Sequence, residues 1–136
     1  MFDQNQAHAV AVQFKLADFE ACDTAILEVE NKKGDGPLLF NGQPVRIEVR
    51  SPGTREAMNA QHEIDTANTT KTFAAMRGKT SKETVADKIA QGAKKLAAIT
   101  AGIENFPVSA KELYENPKLG YISEQVSKFH SDWGNF

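Results

Sequence analysis

Apolar and polar positions along this chain change period near residue 52, and that change divides it into two kinds of structure. Before it the period is two. Val10, Val12, Phe14 and Leu16 alternate with other residues across positions 9–16, which favours a strand. Ala25, Leu27 and Val29 share one side of positions 24–30, with Thr24, Glu28 and Glu30 mostly on the other. Leu38, Leu39 and Phe40 form a short apolar run closed by Asn41-Gly42, a hairpin cue because a type I′ turn needs positive φ twice. Val45, Ile47 and Val49 then alternate with Arg46, Glu48 and Arg50, the cleanest strand pattern in the chain. Asn31 to Pro37, with two glycines and a proline, reads as a turn. Strands at 24–30, 38–40 and 45–50 are expected to form a small antiparallel meander, with 9–16 as a fourth member.

After residue 52 the period becomes helical. Thr54 is placed to cap a helix over 55–77, which Gly78 stops. That helix is weakly apolar and rich in Ala, Thr, Asn and Gln, a composition that suits an adaptable docking face or an oligomer contact. Thr80-Ser81-Lys82-Glu83 has the spacing of a capping box, in which a Thr hydroxyl and a Glu side chain satisfy each other's backbone N–H groups. From there Val85, Ile89, Ala93, Leu96, Ile99 and Ile103 draw one apolar stripe, predicting a single helix over about 81–103. Its other side carries Asp87, Lys88, Gln91, Lys94 and Lys95 and reads as a solvent face. Gly92 suggests close approach by another backbone. Pro107 ends the stripe, Ser109 recaps a short helix over 110–115, and Leu119, Ile122, Val126 and Phe129 space out a last one from about 118 to 130. The expected fold class is α+β: a small antiparallel meander of three to four strands, then two long and two short helices, in one domain spanning 1–136.

Composition narrows the function more by exclusion than by signal. The 136 residues are 40% hydrophobic and 25% charged, an ordinary globular balance. With a net charge of −2 and basic residues interleaved with acids, nothing calls for a nucleic-acid partner. No apolar run approaches the roughly 20 residues a membrane span needs. The single cysteine, Cys22, cannot make an intramolecular disulfide and has no base beside it. His8, His62 and His130 stand on separate segments, without the paired ligands of a zinc site. Acid pairs such as Glu28 with Glu30 and Asp18 with Glu20 fall on outward positions, and Ser51-Pro52-Gly53-Thr54 lacks the Gly-Lys-Ser/Thr of a phosphate loop. No catalytic, cofactor or metal residue is expected, and no enzyme.

The aromatics carry more. Phe106, Tyr114, Tyr121, Phe129, Trp133 and Phe136 all fall in the last 31 residues. They either pack the C-terminal segment onto the long helices or form a partner-binding surface, since Trp and Tyr dominate interface hot spots. Trp133 to Phe136, at a terminus, are the strongest candidates for contact.

Ordered features in the C-terminal half resemble the tail assembly chaperones of long-tailed bacteriophages. A helix runs through Leu96-Ala97-Ala98-Ile99-Thr100-Ala101-Gly102-Ile103-Glu104-Asn105-Phe106. Val108-Ser109, Leu113-Tyr114, Pro117, Ile122, Gln125-Val126, Phe129, Asp132 and Asn135-Phe136 follow in the family's order. Ile103 stands where Trp is common in that family. The likeness extends in style to the strand at Thr24–Glu30, Gly42 before a strand, and Pro52-Gly53-Thr54, so it spans about residues 24 to 136. It implies a non-enzymatic phage or prophage protein of the host cytoplasm, without a cofactor. Such a protein binds the tape-measure protein, keeps its long apolar helices soluble, helps recruit tail-tube subunits and leaves before the virion is complete. Some members also exist in a longer frameshifted form. The alternative is a virion component, such as a minor tail or head–tail connector protein. Homo-oligomerisation is compatible with either.

Overall fold

The computed structural model describes residues 14–79 and 83–136. Five of the eight positions of the strand expected over 9–16 lie outside the described residues; of the other three, Phe14 and Lys15 have no regular structure and Leu16 opens a single 3-10 turn, Leu16–Phe19. The first strand is β1, Thr24–Glu28. A two-strand hairpin follows, β2 (Leu39–Phe40) and β3 (Gln43–Pro44), and then β4, Arg46–Arg50. The hairpin turn has Asn41 at φ 51° and Gly42 at φ 74°, the pair of positive angles the Asn-Gly dipeptide predicts. The helices are α1 (Arg55–Met76), α2 (Val85–Ala98), α3 (Ala110–Glu115) and α4 (Gly120–Ser131). Between α2 and α3 lies a strand the sequence reading missed, β5, Thr100–Glu104. The architecture is α+β, with three of the four α-helices among the described residues longer than ten residues.

The sheet order is β1-β4-β5, all antiparallel. Leu27 pairs with Ile47 and Ile47 with Ile103, so β4 sits in the middle, while β2 and β3 pair only with each other. This differs from a simple meander, in which the 38–40 run would lie between β1 and β4. β4 takes the centre because its alternation is strict. Val45, Ile47 and Val49 are buried on one face, and Arg46, Glu48 and Arg50 are half-buried on the other. Beyond the end of β1, Gln125 of α4 extends the pairing: the Glu30 N–H donates to its Oε1 at 2.7 Å and its Nε2 donates to the Glu30 carbonyl at 3.0 Å.

Why α2 stops at Ala98 rather than near residue 103 is visible in Arg50. Its Nη1 donates to the Ala98 and Thr100 carbonyls, both at 2.9 Å, and its backbone N–H donates to the Ile99 carbonyl at 2.7 Å. A cation thus satisfies carbonyls left over at the helix end, where the dipole also favours it. Freed from the helix, Thr100 to Glu104 pairs along β4, with a register shift at Glu48/Val49. The α2 start also differs from expectation. Residues 80–82 lie outside the described residues, and the capping box is formed four positions later by Thr84 and Asp87, with both hydrogen bonds at 3.1 Å. Thr54 and Ser109 cap α1 and α3 as their positions predict. At Gly92 nothing would come within 4 Å of an added Cβ, so no backbone approaches it.

The core lies between the apolar face of the sheet and α2, α3 and α4. Val29, Val45, Ile47, Val49, Ile99, Leu113, Ile122 and Val126 are its fully buried side chains. Burying each one stabilises the fold by roughly 1.5–3 kcal/mol before entropic costs. α4 contributes Ile122, Val126 and His130 at four-residue spacing. The His130 Nδ1 lies 2.7 Å from the Arg50 carbonyl oxygen; a carbonyl only accepts, so the proton sits on Nδ1.

Candidate functional site

α1 is built unlike the rest. Ala57, Ala60, Ile64, Ala67, Lys71 and Ala74 follow one another at spacings of three and four. Ala57 and Ala60 are buried, the other four are half-buried, and every remaining residue of the helix is exposed. That repeat is the one that keeps a seam facing a neighbouring helix. Here the neighbour is α2, the main packing partner of α1. The seam is made mostly of alanines, whose methyl groups cannot fill the space between two helices.

The result is an open groove of about 830 Å³ between α1 and α2. Its floor includes Ala60, Ile64 and Ala67 from α1 and Ala90 and Ala98 from α2. Charged and polar side chains bridge it. Arg50 Nε lies 3.1 Å from Glu56 Oε2, Lys94 Nζ 3.3 Å from Glu63 Oε2, and Lys71 Nζ 2.6 Å from Glu83 Oε1. Lys95 Nζ donates to Gln61 Oε1 at 2.8 Å. Such solvent-accessible pairs contribute about 0–1 kcal/mol each. α1 is therefore held by two buried alanines and a set of weak polar ties.

This arrangement corrects the reading of Asp87, Gln91, Lys94 and Lys95 as a plain solvent face: they line the groove opposite α1. The apolar stripe of α2 points the other way. Ala93 and Ile99 are buried in the core and Leu96 packs against it, whereas Val85, at the far end, is 76% exposed. Glu83, expected in a capping box, is instead tied to Lys71.

The six aromatic candidates do not come together. Tyr114 is buried, its hydroxyl 2.6 Å from Thr100 Oγ1; burial pushes its pKa up, with the Thr100 hydrogen bond opposing. Phe129 and Phe136 are half-buried and meet edge to face at 5.6 Å. Phe106 is half-buried, edge-on to Phe40 at 6.4 Å, and Tyr121 is half-buried against the core. Trp133 is the exception, at 57% exposed, its ring lying over the Pro52-Gly53 turn. The terminal carbonyl is also engaged: the Cys22 N–H donates to the Phe136 oxygen at 2.7 Å. The sequence marks helix 55–77 as a docking face or oligomer contact but not the groove itself, whose signal was the repeat at three and four from Ala57 to Ala74.

A smaller apolar cluster stands at the start of the described chain. Phe14 and Phe19 stack at 5.5 Å and, with Leu16, remain largely exposed. Elsewhere the titratable groups are scattered. Asp87 has its carboxyl held below the usual carboxylate range by hydrogen bonds from the Thr84 backbone and side chain. Cys22 and His62 are exposed. Among the described residues no three His, Cys, Asp or Glu side chains cluster as a metal site would need, and no helix is long and apolar enough to cross a membrane. No protein-family model, curated protein or solved structure matches this chain.

Proposed function

We propose that this protein is a non-enzymatic binding factor of the tail assembly chaperone kind, which holds an apolar helical segment of a phage tape-measure protein during tail assembly. The observation that carries the reading is the underfilled groove between α1 and α2. An amphipathic helix laid along two others buries its apolar side and leaves its charged side wet, a common mode of recognising helical segments. The alanine floor accepts large client side chains, and the weak polar ties let α1 adjust to clients of varied sequence. Arg50 links groove and body, since the same guanidinium meets both Glu56 and the end of α2. Exposed Phe73, Met76 and Val85 add apolar surface toward the far end of the two helices. The ordered C-terminal resemblance to tail chaperones supplies the class of client.

The test is co-expression with the tape-measure protein of the same phage or prophage. The reading predicts that the two copurify, that the tape-measure protein stays soluble only in the presence of this chain, and that mature virions lack it. Presence in purified virions at fixed copy number would instead favour the tail or connector component.

A further inference from the structure

Charges lining the groove are ordered in a way that its apolar floor alone does not require. Four are basic, Arg50, Lys71, Lys94 and Lys95; four are acidic, Glu56, Glu63, Glu83 and Asp87, so their sum is zero. A neutral rim neither attracts a nucleic acid nor selects a strongly charged peptide. The order along each helix is more specific, and within one chain it already sets Glu63 against Lys94 and Lys71 against Glu83 across the groove. On α1 the groove-facing charges run acidic to basic, Glu56 and Glu63 before Lys71. Across α2 they run the same way, with Asp87 before Lys94 and Lys95, and Glu83 just ahead of the helix. Any helix with acids in its first half and bases in its second is complementary to an antiparallel copy of itself.

We propose that, in the absence of client, a second copy of this chain occupies the groove. The two α1–α2 pairs meet across a two-fold axis as an antiparallel four-helix bundle. In that arrangement Glu56 and Glu63 of one protomer lie toward Lys71 of the other, and Asp87 toward Lys94 and Lys95. A single rotation satisfies both sets, as an isologous contact requires. Antiparallel helices joined by short connections pack in this way in four-helix bundles. The second copy carries the matching double pattern by construction. Along its 22 residues α1 offers about 33 Å of contact length. The groove is nevertheless lined by 15 residues, fewer than the roughly 20–30 a side of a stable interface. The dimer is therefore weak and concentration-dependent, and a client helix can displace it.

The inference rests on the groove being a protein-docking face, as proposed above, but the two fail separately. Sedimentation velocity on the full chain from about 1 to 100 µM, spanning the range expected for a weak complex, reads it directly. A monomer–dimer shift is expected, reduced at high salt because surface charges are screened. Ile64→Asp should leave the circular dichroism spectrum unchanged and keep the chain monomeric. Lys71→Glu should weaken the dimer at least tenfold, and combining it with Glu63→Lys should recover most of that loss. If the two charges mattered only within one chain, this swap would set the introduced lysine against Lys94 and the introduced glutamate against Glu83, and deepen the loss. A monomer at every concentration, or a dimer indifferent to Ile64→Asp, overturns the proposal. A monomer that still binds tape-measure protein leaves the functional reading standing; a dimer that binds none removes the functional reading alone.

Discussion

Set the body of this protein beside its α1–α2 groove, and two uses of the same apolar alphabet become visible. The body packs Ile47, Ile99, Leu113 and Ile122 to complete burial. α1 has only two buried residues, Ala57, which joins the core, and Ala60, which lines the groove, and it leaves Met58, Phe73 and Met76 exposed. Large side chains meeting large side chains close a core, whereas alanines facing alanines bring helices together without filling the space between them. Stability therefore belongs to the body, and in the proposed function the groove is the contact face.

Truncations should separate the two most strongly. Leu113→Ala or Ile122→Ala opens a cavity among fully buried neighbours and should cost about 2–5 kcal/mol in urea unfolding. Ile64→Ala, in the half-open groove, should cost less than about 1 kcal/mol because part of that side chain is already wet. Equal losses at the two sites would erase the distinction. Next in size are the caps. Ser109→Ala removes a capping box from α3, which carries Leu113 and Tyr114 into the core, and should lower global stability by about 1 kcal/mol. Thr84→Ala removes the equivalent box from α2, and its effect should appear as local opening near residues 85–90, seen by amide exchange.

Titration sharpens the same contrast. Tyr114 has its pKa raised by burial above the ordinary 10.0, so its contribution is complete below that value. As pH rises past it the unfolded chain ionises first, and stability should fall until the folded phenol also ionises. Tyr114→Phe should flatten that alkaline decline while losing the Thr100 hydrogen bond at every pH. Asp87 has the opposite sign: its carboxyl is held low, so its cap is present above the usual carboxylate range and is lost as pH falls through the depressed value. Acid should therefore loosen the start of α2 while the body keeps its near-ultraviolet signal.

Smallest of all should be Trp133→Ala, within about 0.5 kcal/mol, because the ring is mostly exposed over a surface turn. Removing Phe136 should cost more, since its ring meets Phe129 and its carbonyl accepts from Cys22. The reverse order would assign the Trp133 ring to the packing of the fold rather than to an exposed contact surface.

Local signals were the legible ones. Alternation in β4, the Asn41-Gly42 turn and the caps at Thr54 and Ser109 depend on residues a few positions apart, and the fold keeps them all. β5 was not legible because Ile103 continues the helical stripe four residues after Ile99. What breaks that helix is Arg50, 48 residues before Ala98, and no local period records such a partner. Sheet order was hidden for the same reason, since only β5 and the excursion through β2 and β3 put β4 in the middle. The groove was hidden differently. Its seam is written in four alanines, one isoleucine and one lysine, which a search for apolar stripes passes over, and the aromatics that drew attention instead largely serve the core.

Amide hydrogen exchange on the free chain and on its complex with the tape-measure protein tests the division of labour most directly. Slowed exchange is expected along 55–76 and 85–95 on complex formation, beyond the common increment that binding adds to the global stability of the body strands. Protection confined to the C-terminal segment around Trp133, with α1 left as labile as before, would contradict it.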